Sequence, residues 1–133
     1  MMEASKIKSE KGFIALITVL MVLLVALTVG LTISFLTINE AQMSLQKSQS
    51  FQAYYTANAC AEMALVKLKK DKNYRGGETS NTGAGICYIF PIEDNWIIKT
   101  MSYFSGQIKK IKIVVSQLKP EVVVESWEEV ADF

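Results

Sequence analysis

Phe13 to Ile38 (FIALITVLMVLLVALTVGLTISFLTI) form an uncharged run of 26 residues, and the rest of the chain has to accommodate it. As an α-helix the run would span roughly 39 Å, against a bilayer hydrocarbon core of about 30 Å. A cleavable secretory signal has a shorter apolar region, about 7 to 15 residues, followed by a small-x-small site. The stretch LTINEAQMS offers no Ala-x-Ala site, so the run is expected to stay as a membrane span. Lys6, Lys8 and Lys11 precede it, whereas Asn39 and Glu40 follow it with no cation before Lys47. The positive-inside bias therefore predicts a single-pass protein of the cytoplasmic membrane, with a cytoplasmic N-terminus and residues 39–133 outside.

The outer segment has an ordinary soluble composition and can build one small core. With a net charge of +1, nothing favours nucleic acid as a direct partner. The chain has no histidine, the commonest general base and metal ligand. No cofactor, metal or catalytic residue is expected, and the chain does not read as an enzyme. Ser44 and Lys47 match a Ser-x-x-Lys pattern, but on a membrane-proximal helix in a chain too short for the fold that uses it. Gly83 and Gly85 lack the Gly-Lys-Ser/Thr that a phosphate loop requires. The acids Glu121, Glu125, Glu128, Glu129 and Asp132 read as a solvated tail rather than a calcium site.

From Asn39 to Lys70 there is neither proline nor glycine. The helix is expected to continue out of the membrane, with an amphipathic outer half. Phe51, Tyr55, Ala59, Met63 and Val66, spaced by three and four, make the best apolar stripe. The basic run Lys67-Leu68-Lys69-Lys70 and the pair Gly76-Gly77 mark its end. Residues 74–85 (YRGGETSNTGAG) read as a loop. The period then changes to two. Ile86, Tyr88 and Phe90 alternate with Cys87 and Ile89, IEDN turns the chain, and NWIIKTMSYF is a second strand. After Ser105-Gly106, Ile111, Ile113 and Val115 face one way and Lys110 and Lys112 the other. Pro120 ends that strand, and VVVESW adds a possible fourth. The expected fold is α+β: a long helix, transmembrane then amphipathic, packed against a three- or four-stranded antiparallel meander.

Two smaller features carry expectations. Ala26, Gly30 and Ser34 recur every four residues, which stacks them on one helix face. Small residues at this spacing let helices approach closely in lipid, although the spacing also arises by chance. Cys60 and Cys87 are too few for a zinc site and the right number for one disulfide on the oxidising side of the membrane. Cys60 lies beside the outer stripe and points toward the covering sheet, whereas either strand face could carry Cys87 inward. Two buried free thiols are the alternative.

A short basic leader ending in Lys11-Gly12, then Phe13 and an unbroken apolar helix, resembles the class III-type leaders of type IV pilins and pseudopilins. The segment AYYTANACAEMAL (Ala53 to Leu65) is similar to the A-x-x-A-E region of minor pilins of the PilX type. Val124-Glu125-Ser126-Trp127-Glu128-Glu129-Val130 is similar to tails of related bacterial proteins. The resemblance implies a leader at 1–12, a transmembrane half at 13–38 and an exported pilin-like domain at 39–133. It also implies cleavage by a prepilin peptidase between Gly12 and Phe13, with N-methylation of Phe13. Its implied partners are other pilin subunits through the N-terminal helix, the inner-membrane assembly platform and membrane lipid. The destination would be a pilus or pseudopilus at the cell surface. One position departs from the family. Major pilins have glutamate five residues into the mature chain, where this chain has Ile17, and no acid lies between Phe13 and Asn39. The departure favours a minor or initiating subunit. The competing expectation is an uncleaved signal-anchor protein with a small outer interaction domain.

Overall fold

A computed structural model of the 133-residue chain describes residues 2–93 and 95–133, with side chains from residue 10 onward. Met1, Asp94 of the expected IEDN turn, and the side chains of most of the expected leader lie outside it. The elements run α1 (Met2–Lys70), β1 (Glu78–Asn81), β2 (Ile86–Ile89), β3 (Ile97–Phe104), β4 (Gln107–Gln117) and β5 (Val123–Val130). The chain divides into two compact units, Met1–Ser44 and Leu45–Phe133. The first is helix alone.

The second unit is α+β. Residues 45–70 of α1 pack against a five-stranded antiparallel sheet in the order β1-β2-β3-β4-β5, a meander in which each strand pairs with the next. The expected architecture is present with one strand more than predicted. That strand, β1, lies inside the segment read as a loop. Its sequence ETSN has no apolar alternation for a pattern search to find. It forms because Gly76 and Gly77, at φ of 69° and 72°, reverse the chain so that Glu78 meets Ile89 and Asn81 meets Ile86. The Gly77 amide donates to the Ile89 carbonyl at 2.9 Å, which fixes the register. Gly76 has a second constraint, since a Cβ there would lie 2.4 Å from the Phe90 carbonyl oxygen.

The C-terminal acids also differ from expectation. Glu128 and Glu129 are not in a loose tail: they belong to β5, opposite Lys112 and Ile111 of β4. Lys109 Nζ meets Glu129 Oε1 at 2.6 Å. Charge pairing on an edge strand explains why a segment without apolar periodicity stays in the sheet. The β3–β4 turn is a two-residue hairpin with Ser105 at φ 47° and Gly106 at φ 83°, the doubly left-handed geometry that matches strand twist.

The stripe expected to face the sheet does not do so. Phe51, Tyr55 and Val66 are 50–68% exposed, Ala59 is exposed, and Met63 is only half-buried. The buried face is rotated from it and consists of Ala53, Thr56, Ala57, Cys60, Ala61, Ala64 and Leu68. Its spacing is equally helical, but apart from Leu68 near the helix end its residues are small. The physical reason lies in the sheet. Thr100 and Ser102 on β3 are fully buried, and their hydroxyls donate to the carbonyls of Ala57 (3.1 Å) and Ala53 (2.5 Å). A side-chain hydroxyl can reach a helix carbonyl only if the intervening side chains are no larger than methyl. Bulky residues would hold the helix off and leave two buried hydroxyls unpaired, at about 1–3 kcal/mol each. Ile89, Ile98, Ile111, Ile113, Val115 and Leu118 complete the core.

Candidate functional site

The Gly12–Phe13 junction lies within α1, and both residues are exposed. A protease binds its substrate extended, so any cleavage here would require the helix to unwind locally. Glycine makes that easier by about 1 kcal/mol relative to alanine.

Every described residue from Glu10 to Ser48 is exposed, and α1 contains the one helix segment among the described residues long and apolar enough to cross a membrane. Its hydroxyls are suited to that medium. Thr18 and Thr28 donate to carbonyls three residues back, and Thr32, Ser34 and Thr37 to carbonyls four residues back, at 2.7–3.0 Å. In hydrocarbon an unpaired hydroxyl is costly, and the local bond removes that cost without a partner helix. The segment thus has the length, composition and internal hydrogen bonding of a single-pass membrane span.

Ala26, Gly30 and Ser34 do share one face. With Leu23, Leu27 and Leu31 they line a shallow apolar groove. Gly30 forms its floor: a Cβ there would meet no atom within 4 Å, so the space is open to an approaching backbone. Ser34 donates to the Gly30 carbonyl at 2.9 Å, which hides the most polar group of the groove. Ile17 is 37% exposed. Nothing acidic stands in its place on the described part of this segment beyond Glu10.

In the outer unit, Cys60 and Cys87 form a disulfide, with Cα atoms 6.4 Å apart. The open question of the Cys87 face is resolved: Cys87 and Ile89 point to the helix, while Ile86 and Tyr88 lie on the other side. The bridge ties α1 to β2 beside the two hydroxyl contacts from β3. A second staple closes the far end. Lys67 near the helix C-terminus and the Tyr74 hydroxyl both contact Glu78 Oε1. The Lys67 and Tyr74 hydrogen bonds hold the Glu78 carboxyl below its ordinary range, and Tyr74 is shifted upward, first by burial and then by Glu78. A third contact runs from β5, where Trp127 Nε1 donates to Asn58 Oδ1 at 2.8 Å. Trp96 packs against the core, whereas Tyr103 is 53% exposed.

Sequence reasoning missed Thr100, Ser102 and Glu78. The first two had a signal, since both stand at inward positions of an alternating strand, where a hydroxyl needs a partner. Glu78 had none. Among the described residues, no three of His, Cys, Asp and Glu gather as a metal site requires. Compared with known proteins, the chain matches no family model, no curated protein and no solved structure.

Proposed function

We propose that the chain is a minor type IV pilin-like structural subunit. It is cut by a prepilin peptidase between Gly12 and Phe13, methylated at Phe13, and assembled into or used to prime a pilus or pseudopilus. The supporting observation is a conjunction: a bare apolar helix segment directly behind Lys11-Gly12, in a chain whose outer helix residues are stapled to an antiparallel meander. The mechanism follows from solvation. Before cleavage, the charges from Glu3 to Lys11 anchor the helix end at the cytoplasmic surface, because dragging them through lipid costs several kcal/mol. Removing them leaves a helix that can pass from lipid into a helical bundle. The groove at Ala26, Gly30 and Ser34 supplies a close-contact face for neighbouring subunits. Isoleucine at position 17 removes the acid that would neutralise a neighbouring N-terminus, so the subunit acts at low copy number, at the tip or at initiation.

The uncleaved signal-anchor reading predicts different behaviour. In cells with a prepilin peptidase and assembly platform, the pilin-like chain moves to the sheared-fibre fraction, and Gly12→Val keeps it in the membrane. Retention of the wild-type chain in the membrane fraction, with no dependence on Gly12, would refute the proposal.

A further inference from the structure

The outer face of the sheet holds a second organised cluster, away from α1. Asp132 and Phe133, beyond β5, turn across it. The Phe133 ring meets Phe90 edge-on at 5.1 Å and 70°, and Phe90 in turn meets Tyr88 at 4.9 Å and 83°. Two ammonium groups stand over the same Phe133 ring, Lys99 at 5.8 Å and Lys110 at 5.5 Å. Lys110 also pairs with Asp132 at 2.5 Å, and Lys99 with Glu93 at 3.1 Å. The slot is thus built from an aromatic wall on the β2 side and two cations on β3 and β4. Phe90 is held in place by its backbone N–H, which donates to the Lys99 carbonyl at 2.9 Å.

What fills the slot is a carboxylate next to an aromatic ring, and both halves are matched. The ring takes the edge of Phe90 and the two cations, and the carboxylate takes Lys110. The occupant is nevertheless loosely held. Phe133 keeps 42% of its surface exposed and the Asp132 side chain 83%. Neither residue belongs to a strand, so displacing them breaks no sheet pairing. The walls lie in the sheet and the contents do not.

We propose that Asp132 and Phe133 are a built-in ligand, and that the slot of Phe90, Lys99 and Lys110 receives an acidic–aromatic segment of a partner protein in their place. This surface lies outside the helix contacts of the pilin-like reading and does not depend on it. Charge selects the partner: a basic or purely aliphatic segment that displaced Asp132 would leave Lys110 without a counter-charge, whereas Lys99 keeps Glu93.

The test uses the full chain in detergent and a fluorescein-labelled acetyl-Ala-Asp-Phe-amide peptide, read by fluorescence anisotropy. If the tail is seated nine-tenths of the time, its removal strengthens apparent binding about tenfold. Phe133→Ala should therefore bind the peptide about tenfold more tightly than the wild type. Asp132→Asn should fall between them, because it weakens the tail without emptying the ring site. Lys99→Gln/Lys110→Gln in the Phe133→Ala background should abolish the gain, as should replacing the peptide's aspartate by asparagine. Equal affinity of wild type and Phe133→Ala would overturn the proposal. So would equal binding of the Ala-Asp-Ala peptide, or wild-type self-association that Phe133→Ala removes, which would give the slot to a second copy.

Discussion

Breaking the Cys60–Cys87 bridge should remove a large share of the stability of the outer unit. The cross-linked residues are 27 apart. In the chain-entropy model a loop of that length constrains the unfolded state by about 12 cal/mol/K, or about 3.5 kcal/mol at 25 °C. The unit that feels it, Leu45–Phe133, has an unfolding entropy of about 190 cal/mol/K at about 2.1 cal/mol/K per residue, so Tm should fall by about 18 °C. Both cysteines are buried, at 0% and 1% exposure, so Cys60→Ala/Cys87→Ala also loses some packing. Unfolding the wild type in the presence of a phosphine reductant keeps both sulfurs and isolates the cross-link. The assay is thermal unfolding in detergent followed by tryptophan fluorescence, since Trp96 and Trp127, the chain's two tryptophans, both lie in the outer unit. A fall of less than about 6 °C on reduction would refute the entropic argument, because it corresponds to barely 1 kcal/mol.

Three further outcomes are expected. Ala57→Leu should cost about 1–3 kcal/mol by holding the helix off β3 and straining the Thr100 bond, whereas Ala59→Leu on the exposed face should change stability by less than about 0.5 kcal/mol; denaturant midpoints compare the two. Gly76→Ala should be clearly more destabilising than Gly83→Ala, since both have positive φ but only Gly76 would also press a Cβ on the Phe90 carbonyl. Glu78, whose carboxyl is held low by Lys67 and Tyr74, adds stability that is present above its ordinary pKa of 4.5 and lost as pH falls through the depressed value; Glu78→Gln should flatten that part of the stability–pH curve below pH 4.5.

The parts of the fold legible in the sequence were those with one strong period. The apolar helix, the helix end at Lys70 and the inward set Ile111, Ile113 and Val115 all follow from spacing and composition. The outer helix face did not, because two stripes with similar spacing compete there and hydrophobicity favours the wrong one. Phe51, Tyr55 and Val66 carry larger apolar surfaces than Ala53, Ala57 and Ala61, yet the alanines face the sheet. Close approach decided the matter, and close approach depends on the partner surface, in particular on Thr100 and Ser102. β1 was hidden for a related reason: a strand of polar residues exists only because its neighbour β2 supplies the pairing edge. The disulfide was legible as a pairing, and the face of Cys87 was fixed only by the strand. The slot under Phe133 draws on four separate stretches of chain, so no local pattern announces it.

The central claim is tested most directly by the mass of the N-terminal peptide of the chain recovered from cells that contain a prepilin peptidase. The expected result is a mature N-terminus at Phe13 carrying one N-methyl group, and an unprocessed leader when Gly12 is replaced by valine. A chain that still begins at Met1 beside an active peptidase would contradict it.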